Sequence, residues 1–95
     1  ALLGAVEKGD HLLVKDLLNL GADISLGDNQ GLTPIMKASM LGNFEVVKVL
    51  VERGANLGPI KEGNWRGMRP LDIADFYLHK KVAHYLRIKM GWPLL

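Results

Sequence analysis

Cysteine is absent from the sequence, which excludes a disulfide framework and any zinc or thiol site built on cysteine. No apolar run reaches about 18 residues, so no transmembrane helix is expected. The opening ALLGAVEKGD lacks both the basic leader of a secretory signal and an initiator methionine. We therefore expect a cytoplasmic or nuclear protein and interpret the 95 residues as a fragment of a longer chain.

An excess of either charge is also missing, since the formal net charge is only +2. The charge is unevenly spread: residues 1–60 carry −2 and residues 61–95 carry +4. The basic segment 80–92 could therefore contact nucleic acid or an anionic membrane. Val82 and Leu86 can instead form the inner face of a helix, in which case Lys81 and Arg87 are only its solvated side. Contact with nucleic acid or a membrane is kept as the alternative function.

Groups that could carry catalysis are few and poorly placed. Asp75 and His79 are four residues apart and could form an acid–base pair on one helix, but the repeat described below places His79 in a turn. His79 and His84 are five apart, the wrong spacing for two metal ligands on one helix face, and no third ligand is evident. GPIKEG at 58–63 lacks the Gly-Lys-Ser/Thr of a phosphate loop. The sequence predicts no enzyme, no metal site and no cofactor.

An internal repeat is the strongest pattern in the chain. LNLGAD at 18–23 returns 33 residues later as VERGAN at 51–56. GLTPIMKA at 31–38 returns 36 residues later as GMRPLDIA at 67–74. The chain therefore holds three copies of one unit, with three extra residues between Gly54 and Gly67. We expect one domain, 1–95, with units at about 1–23, 24–56 and 57–95.

Each unit is predicted to be two helices and a turn. Thr33 can cap a helix whose first position is Pro34, and Gly42 can end that helix. Val46, Val47 and Leu50 then lie on one face of a second helix. The pattern predicts helices at about 2–8, 11–19, 35–41, 44–52, 71–78 and 80–90. Because such short helix pairs cannot bury both faces alone, the units should stack into a solenoid.

The period near 33 and the run TPIMKA at 33–38 are similar to the T-P-L-H-x-A signature of ankyrin repeats. The chain resembles the ankyrin-repeat family over about 1–90. The resemblance implies an all-α ankyrin-repeat solenoid of three helix-turn-helix units with hairpin-like turns, one of them enlarged by three residues. It also implies a protein–protein interaction module or scaffold.

Three departures from the family pattern are visible. Met36 replaces the family's His, so the polar bonds of that His between units are expected to be absent. Leu78 stands where unit two has Gly42. Neither end shows a clear polar cap, which indicates missing flanking residues or a partner, and leaves self-association through the apolar ends open.

Family members typically bind protein or peptide partners through the turn tips and the exposed side of the first helices. Carried over through the repeat, these positions predict partner contacts at Leu32, Met40, Leu41, Trp65, Arg66, Met68, Phe76 and Tyr77. Trp65 lies in the enlarged turn among glycines and polar residues that offer no apolar cover, so we expect it to be exposed. The alternative is that Leu32, Leu41, Phe76 and Tyr77 pack under neighbouring turns as ordinary core.

Overall fold

Six helices in three antiparallel pairs form the computed structural model, which describes residues 2–61, 63 and 65–91. No strand occurs in this part of the chain. The helices are α1 (Leu2–Lys8), α2 (His11–Asn19), α3 (Pro34–Leu41), α4 (Phe44–Glu52), α5 (Pro70–Phe76) and α6 (Lys80–Lys89). The first helices α1, α3 and α5 pack side by side in one layer, and the second helices α2, α4 and α6 form the other. The all-α solenoid of three units is therefore confirmed.

The helix starts follow from short polar side chains that accept free backbone N–H groups. The Asp10 carboxylate accepts from the N–H of Leu13 at 3.1 Å and begins α2. The Asn43 side chain accepts from the N–H of Val46 at 3.4 Å and begins α4. Thr33 precedes α3, whose first residue is proline, as the sequence predicts.

Unit three starts its first helix differently, because Arg69 replaces threonine at the cap position. Asp72 accepts from the backbone N–H of Arg69 at 3.0 Å and from its guanidinium at 2.9 and 3.0 Å. The hydrogen bonds from the Arg69 side chain hold the pKa of Asp72 below its usual range, although burial opposes the shift. Asp72 thus supplies the reciprocal bond of a capping box, whereas the Arg69 guanidinium cannot accept a helix N–H as Thr33 does.

The core lies between the two layers and consists of the aliphatic faces that the repeat pattern predicts. Its fully buried side chains include Val6, Val14, Ile35, Val46, Val47, Leu50, Leu71, Ile73, Val82 and Leu86. Met36 is buried in the same cluster, so it contributes packing where the family has a polar side chain. Polar bonds between units come from other residues: Arg53 donates to Asn19, and Lys37 lies 4.0 Å from Glu7.

The turn between the two helices of each unit has a left-handed residue at the same position. Gly9 and Gly42 have φ of 74° and 73°, and Leu78 has φ of 63°. A Cβ added to Gly9 would overlap the side chain of Asn43, and one added to Gly42 would overlap His79. Asn43 and His79, which precede the second helices of units two and three, therefore lie over the glycine of the unit before. Unit three has a leucine, Leu78, at the position equivalent to these glycines.

The forward face of unit three carries an ion pair beside the exposed side chain of Leu78, and the expectation that neither end has a clear polar cap stays a prediction. Val6 and Ser39 occupy equivalent positions on α1 and α3 and are fully buried, whereas their equivalent Asp75 is exposed. Arg87 donates to both carboxylate oxygens of Asp75 at 2.8 Å. We infer that this position faces the following unit in units one and two. Sequence spacing did not reveal this ion pair, because it compared Asp75 only with residues near it in the chain, such as His79.

Leu78→Gly is expected to raise the free energy of unfolding by about 1 kcal/mol. The left-handed backbone strains any residue with a Cβ, and the Leu78 side chain is 77% exposed, so its removal costs little packing. Equilibrium unfolding in urea measures the change. Leu78→Ala is the control, because it removes the aliphatic side chain but keeps the Cβ, and it should bring no such gain. A loss of stability in Leu78→Gly would mean that this side chain packs.

Candidate partner-binding surface

Two hairpin-like turns project from the helices, and the second is the longer. In the first finger, residues 28–32, the N–H of Asp28 donates to the carbonyl of Leu32 at 3.0 Å. In the second finger, residues 60–68, the equivalent bond runs from the N–H of Ile60 to the carbonyl of Met68, also at 3.0 Å. More residues lie between the paired ends of the second finger, so the enlarged turn is where the sequence predicts it.

Four rings from the second finger and the end of unit three's first helix form the aromatic cluster: Trp65, Phe76, Tyr77 and His79. The rings of Trp65 and Tyr77 have centroids 6.4 Å apart. Phe76 meets Tyr77 edge to face at 5.1 Å, and His79 stacks on Tyr77 at 6.4 Å. Edge-to-face and offset contacts at such distances are favourable. The second finger and α5 therefore present one connected aromatic surface.

His79 anchors this cluster to unit two. Its Nε2 lies 2.9 Å from the carbonyl oxygen of Met40, in the last turn of α3, where carbonyls lack intrahelical partners. A carbonyl can only accept, so Nε2 carries the proton. Asp75 is paired with Arg87 instead, so Asp75 and His79 do not form the acid–base pair that their spacing allows.

Six of the eight predicted contact residues fall into two groups. Phe76 is 68% exposed, and Leu41, Arg66 and Tyr77 are also exposed. Met40 and Met68 are half-buried and pack against the core. Arg66 and Met68 both belong to the second finger, beside Trp65.

Two of the predictions need correction. Leu32 is only 1% exposed and belongs to the core, which is the alternative that the sequence left open. Its N–H donates to the Asp28 carboxylate at 3.0 Å, a bond that closes the short first finger on itself. Trp65 is half-buried, and the expectation that nothing covers it was wrong, because Tyr77 supplies apolar cover from α5.

Two exposed apolar features were missed as candidate sites. Leu78 adjoins the aromatic cluster, and its only sequence signal is a leucine at a position that requires glycine in units one and two. At the other end of the solenoid, four leucines are exposed: Leu12, Leu13 and Leu20 of unit one, and Leu26 at the start of unit two. No motif marks them, since each is an ordinary residue of an amphipathic helix or turn.

The basic residues of α6 largely have partners within the chain. The Lys81 Nζ lies 4.3 Å from the centroid of the Phe44 ring, and the Lys89 Nζ lies 5.5 Å from that of Tyr85. Both distances suit cation–π attraction. Arg87 is paired with Asp75. Trp92, which the alternative function included, lies outside the described residues.

The described residues contain neither a group of side chains that could hold a metal ion nor a helix that could span a membrane. No group of three or more His, Asp or Glu side chains is arranged to hold a metal ion there. No helix among them is both long enough and apolar enough to cross a membrane.

Comparison with known proteins gives a consistent result. Residues 2–91 match a family model described as ankyrin repeats (3 copies). A protein of Rhinolophus ferrumequinum named ankyrin repeat, SAM and basic leucine zipper domain-containing protein 1 is 48% identical over 52 residues. The proteins of that name in Oryctolagus cuniculus and Carollia perspicillata are each 44% identical over 52 residues. Each match covers 55% of this chain and 11% of the relative, so the chain spans a small part of the curated relatives it matches.

Proposed function

Because the chain belongs to the ankyrin-repeat family, whose members are in general protein–protein interaction modules, we propose that it binds a protein or peptide partner through the second finger and the exposed side of its first helices. The observation that carries this proposal is the aromatic cluster, in which exposed Phe76 is connected through Tyr77 to Trp65. Arg66 and Met68 of the second finger and Met40 and Leu41 of α3 complete the proposed surface. Contiguous exposed apolar groups mark binding sites more often than they mark ordinary surface.

The residue types of this surface suit a binding role. Trp, Tyr, Phe, Met and Arg are enriched at the centres of protein interfaces. Full burial of a side chain such as Phe76 contributes a free energy of roughly 1.5–3 kcal/mol. Because Phe76 is exposed in the fold, most of that free energy can be gained when a partner covers it. The ring contacts and the bond from His79 to Met40 hold the cluster in place, so a partner meets side chains that are already ordered. Ordered side chains lower the entropic cost of association.

Trp65→Ala and Phe76→Ala are each expected to weaken binding by about 2 kcal/mol, or roughly 30-fold, as hot-spot truncations do. Affinity capture from extract, with partners identified by mass spectrometry, supplies the partner, and titration calorimetry then measures each variant. Ile88→Ala is the matched control, because Ile88 is also an exposed large aliphatic residue but lies on α6. Thermal melts accompany Trp65→Ala, since Trp65 is half-buried.

Two results would contradict the binding proposal. Unchanged affinity in both variants would move the interface away from the aromatic cluster. Loss of stability without loss of affinity in Trp65→Ala would make Trp65 a core residue only.

Contact of segment 80–92 with nucleic acid or an anionic membrane remains the alternative, and it has less support because Lys81, Arg87 and Lys89 have intramolecular partners. The dependence of binding affinity on salt concentration distinguishes the two functions. Phosphate contacts release counterions, so affinity for nucleic acid falls steeply with added salt, whereas an apolar surface depends on it weakly. A cytoplasmic or nuclear location stays a prediction.

A further inference from the structure

The ends of the three first helices form a row that changes from charged to apolar along the solenoid. Lys8, Leu41 and Tyr77 occupy equivalent places in the repeat and make up this helix-end row. All three are exposed, although unit two follows Lys8 and unit three follows Leu41, so the stack does not cover the row. Its apolar end continues into Phe76, which is 68% exposed.

Carboxylates on this side of the molecule are already paired within the chain. Each one that the structure describes on the first helices and in the first finger has a cationic partner within ion-pair distance. The pairs are Glu7–Lys37, Asp28–Lys37, Asp72–Arg69 and Asp75–Arg87, with nitrogen–oxygen distances of 4.0, 3.6, 2.9 and 2.8 Å. The carboxylates are therefore not the groups that a partner has to match.

Three cations on the same side are left over: Lys8 at the end of α1, and Lys61 and Arg66 in the second finger. All three are exposed and form no ion pair or cation–π contact within the described part of the chain. Glu62 lies outside the described residues, but with its charge counted residues 61–66 still carry +1. Lys8 begins the helix-end row, and Arg66 adjoins its apolar end through Trp65 and Tyr77.

We propose that the segment of the partner that binds here is acidic, with large apolar side chains on Leu41, Phe76 and Tyr77 and carboxylates facing Lys8 and Arg66. This inference rests on the proposed function and adds the chemistry of the partner. An apolar centre with a polar rim is the usual anatomy of an interface. Opposite charge across the rim speeds association, and a basic segment would meet like charges instead.

Single-stranded nucleic acid is also anionic, but the helix-end row suits it less well. Nucleic acid carries a phosphate at every nucleotide and binds along grooves that are positively charged throughout. Between Lys8 and the second finger, the ends of the first helices offer the apolar side chains of Met40 and Leu41. A peptide can alternate apolar and acidic residues to match this pattern.

Selection of peptides tests the chemistry of the partner before the partner is known. A phage-displayed library of random peptides is selected on the full chain. Peptides of about 12 residues span the row, roughly 16–20 Å across three neighbouring helices, either extended or helical. The consensus of the selected peptides is expected to combine an aromatic or large aliphatic residue with a net negative charge. Fluorescence anisotropy of the labelled consensus peptide then measures its affinity for each variant.

Lys8→Glu and Arg66→Glu should each weaken binding of the consensus peptide roughly tenfold, because each turns an attraction into a repulsion. Replacement of the peptide's carboxylates by amides should remove the effect of both substitutions. Lys48→Glu is the matched control, since Lys48 is an exposed lysine on α4 in the other helix layer. Charges separated by more than a Debye length are screened, so this variant should change the affinity by less than about twofold.

The inference is overturned by a neutral or basic consensus, by a library that yields no binding peptide, or by equal losses in Lys8→Glu, Arg66→Glu and Lys48→Glu. It is also overturned if oligo(dT) binds more tightly than the consensus peptide and displaces it. Phe76→Ala separates this inference from the proposed function. If Phe76→Ala weakens binding of a peptide that is not acidic, the aromatic cluster is the interface and only the acidic chemistry is wrong. If it leaves binding of an acidic peptide unchanged, the proposed function fails at this surface.

Discussion

Ser39→Asp is expected to destabilise the protein by about 3–5 kcal/mol, enough to unfold much of a small domain at room temperature. Ser39 is fully buried in α3, at the position that faces unit three, and its hydroxyl donates to the carbonyl of Ile35 at 2.8 Å. A carboxylate there loses its hydration and places a negative charge beside a carbonyl oxygen. Urea unfolding followed by circular dichroism measures the loss.

Asp75→Ser is the matched control, since it places the residue of unit two at the equivalent position of unit three. Asp75 is exposed, so the change removes only its ion pair with Arg87 and should cost roughly 0–1 kcal/mol. Acid gives a second check. Burial raises the pKa of an aspartate, so Ser39→Asp should recover part of its deficit as falling pH protonates the carboxyl. Equal losses in the two variants would contradict the assignment of Ser39 to a junction between units.

The sequence predicts the solenoid because its rules are local and repeat. Spacings of 33 and 36 residues, the Thr33-Pro34 start and the aliphatic faces of the second helices place all six helices within one or two residues of their observed bounds. The enlarged turn follows from the same register. Packing between equivalent helices needs no further information, since each unit buries the same positions.

Contacts between distant side chains were harder to predict. Trp65 and Tyr77 lie twelve positions apart, with the rest of the second finger and α5 between them, so spacing does not reveal that their rings meet. Leu32 looked like a turn tip, but its side chain lies in the core because the first finger is short. The ion pair of unit three could not be predicted for a related reason: Asp75 and Arg87 are on different helices, and their pairing is visible only in the fold.

Gly42→Leu is expected to cost about 3 kcal/mol, although unit three carries leucine at the equivalent position. The left-handed backbone of Gly42, with φ of 73°, adds roughly 1–2 kcal/mol of strain for any residue with a Cβ. The new Cβ also overlaps the His79 ring, which would have to abandon its bond to Met40, worth about 1 kcal/mol. Leu78 avoids the second cost because its side chain is exposed.

A double-mutant cycle separates the two costs of Gly42→Leu. His79→Ala removes the ring, so Gly42→Leu in that background should lose only the strain and cost less than it does in the wild type. Gly42→Ala should show most of the penalty of Gly42→Leu, since its Cβ already meets His79. If Gly42→Leu costs no more than Leu78→Gly gains, His79 does not pack over Gly42.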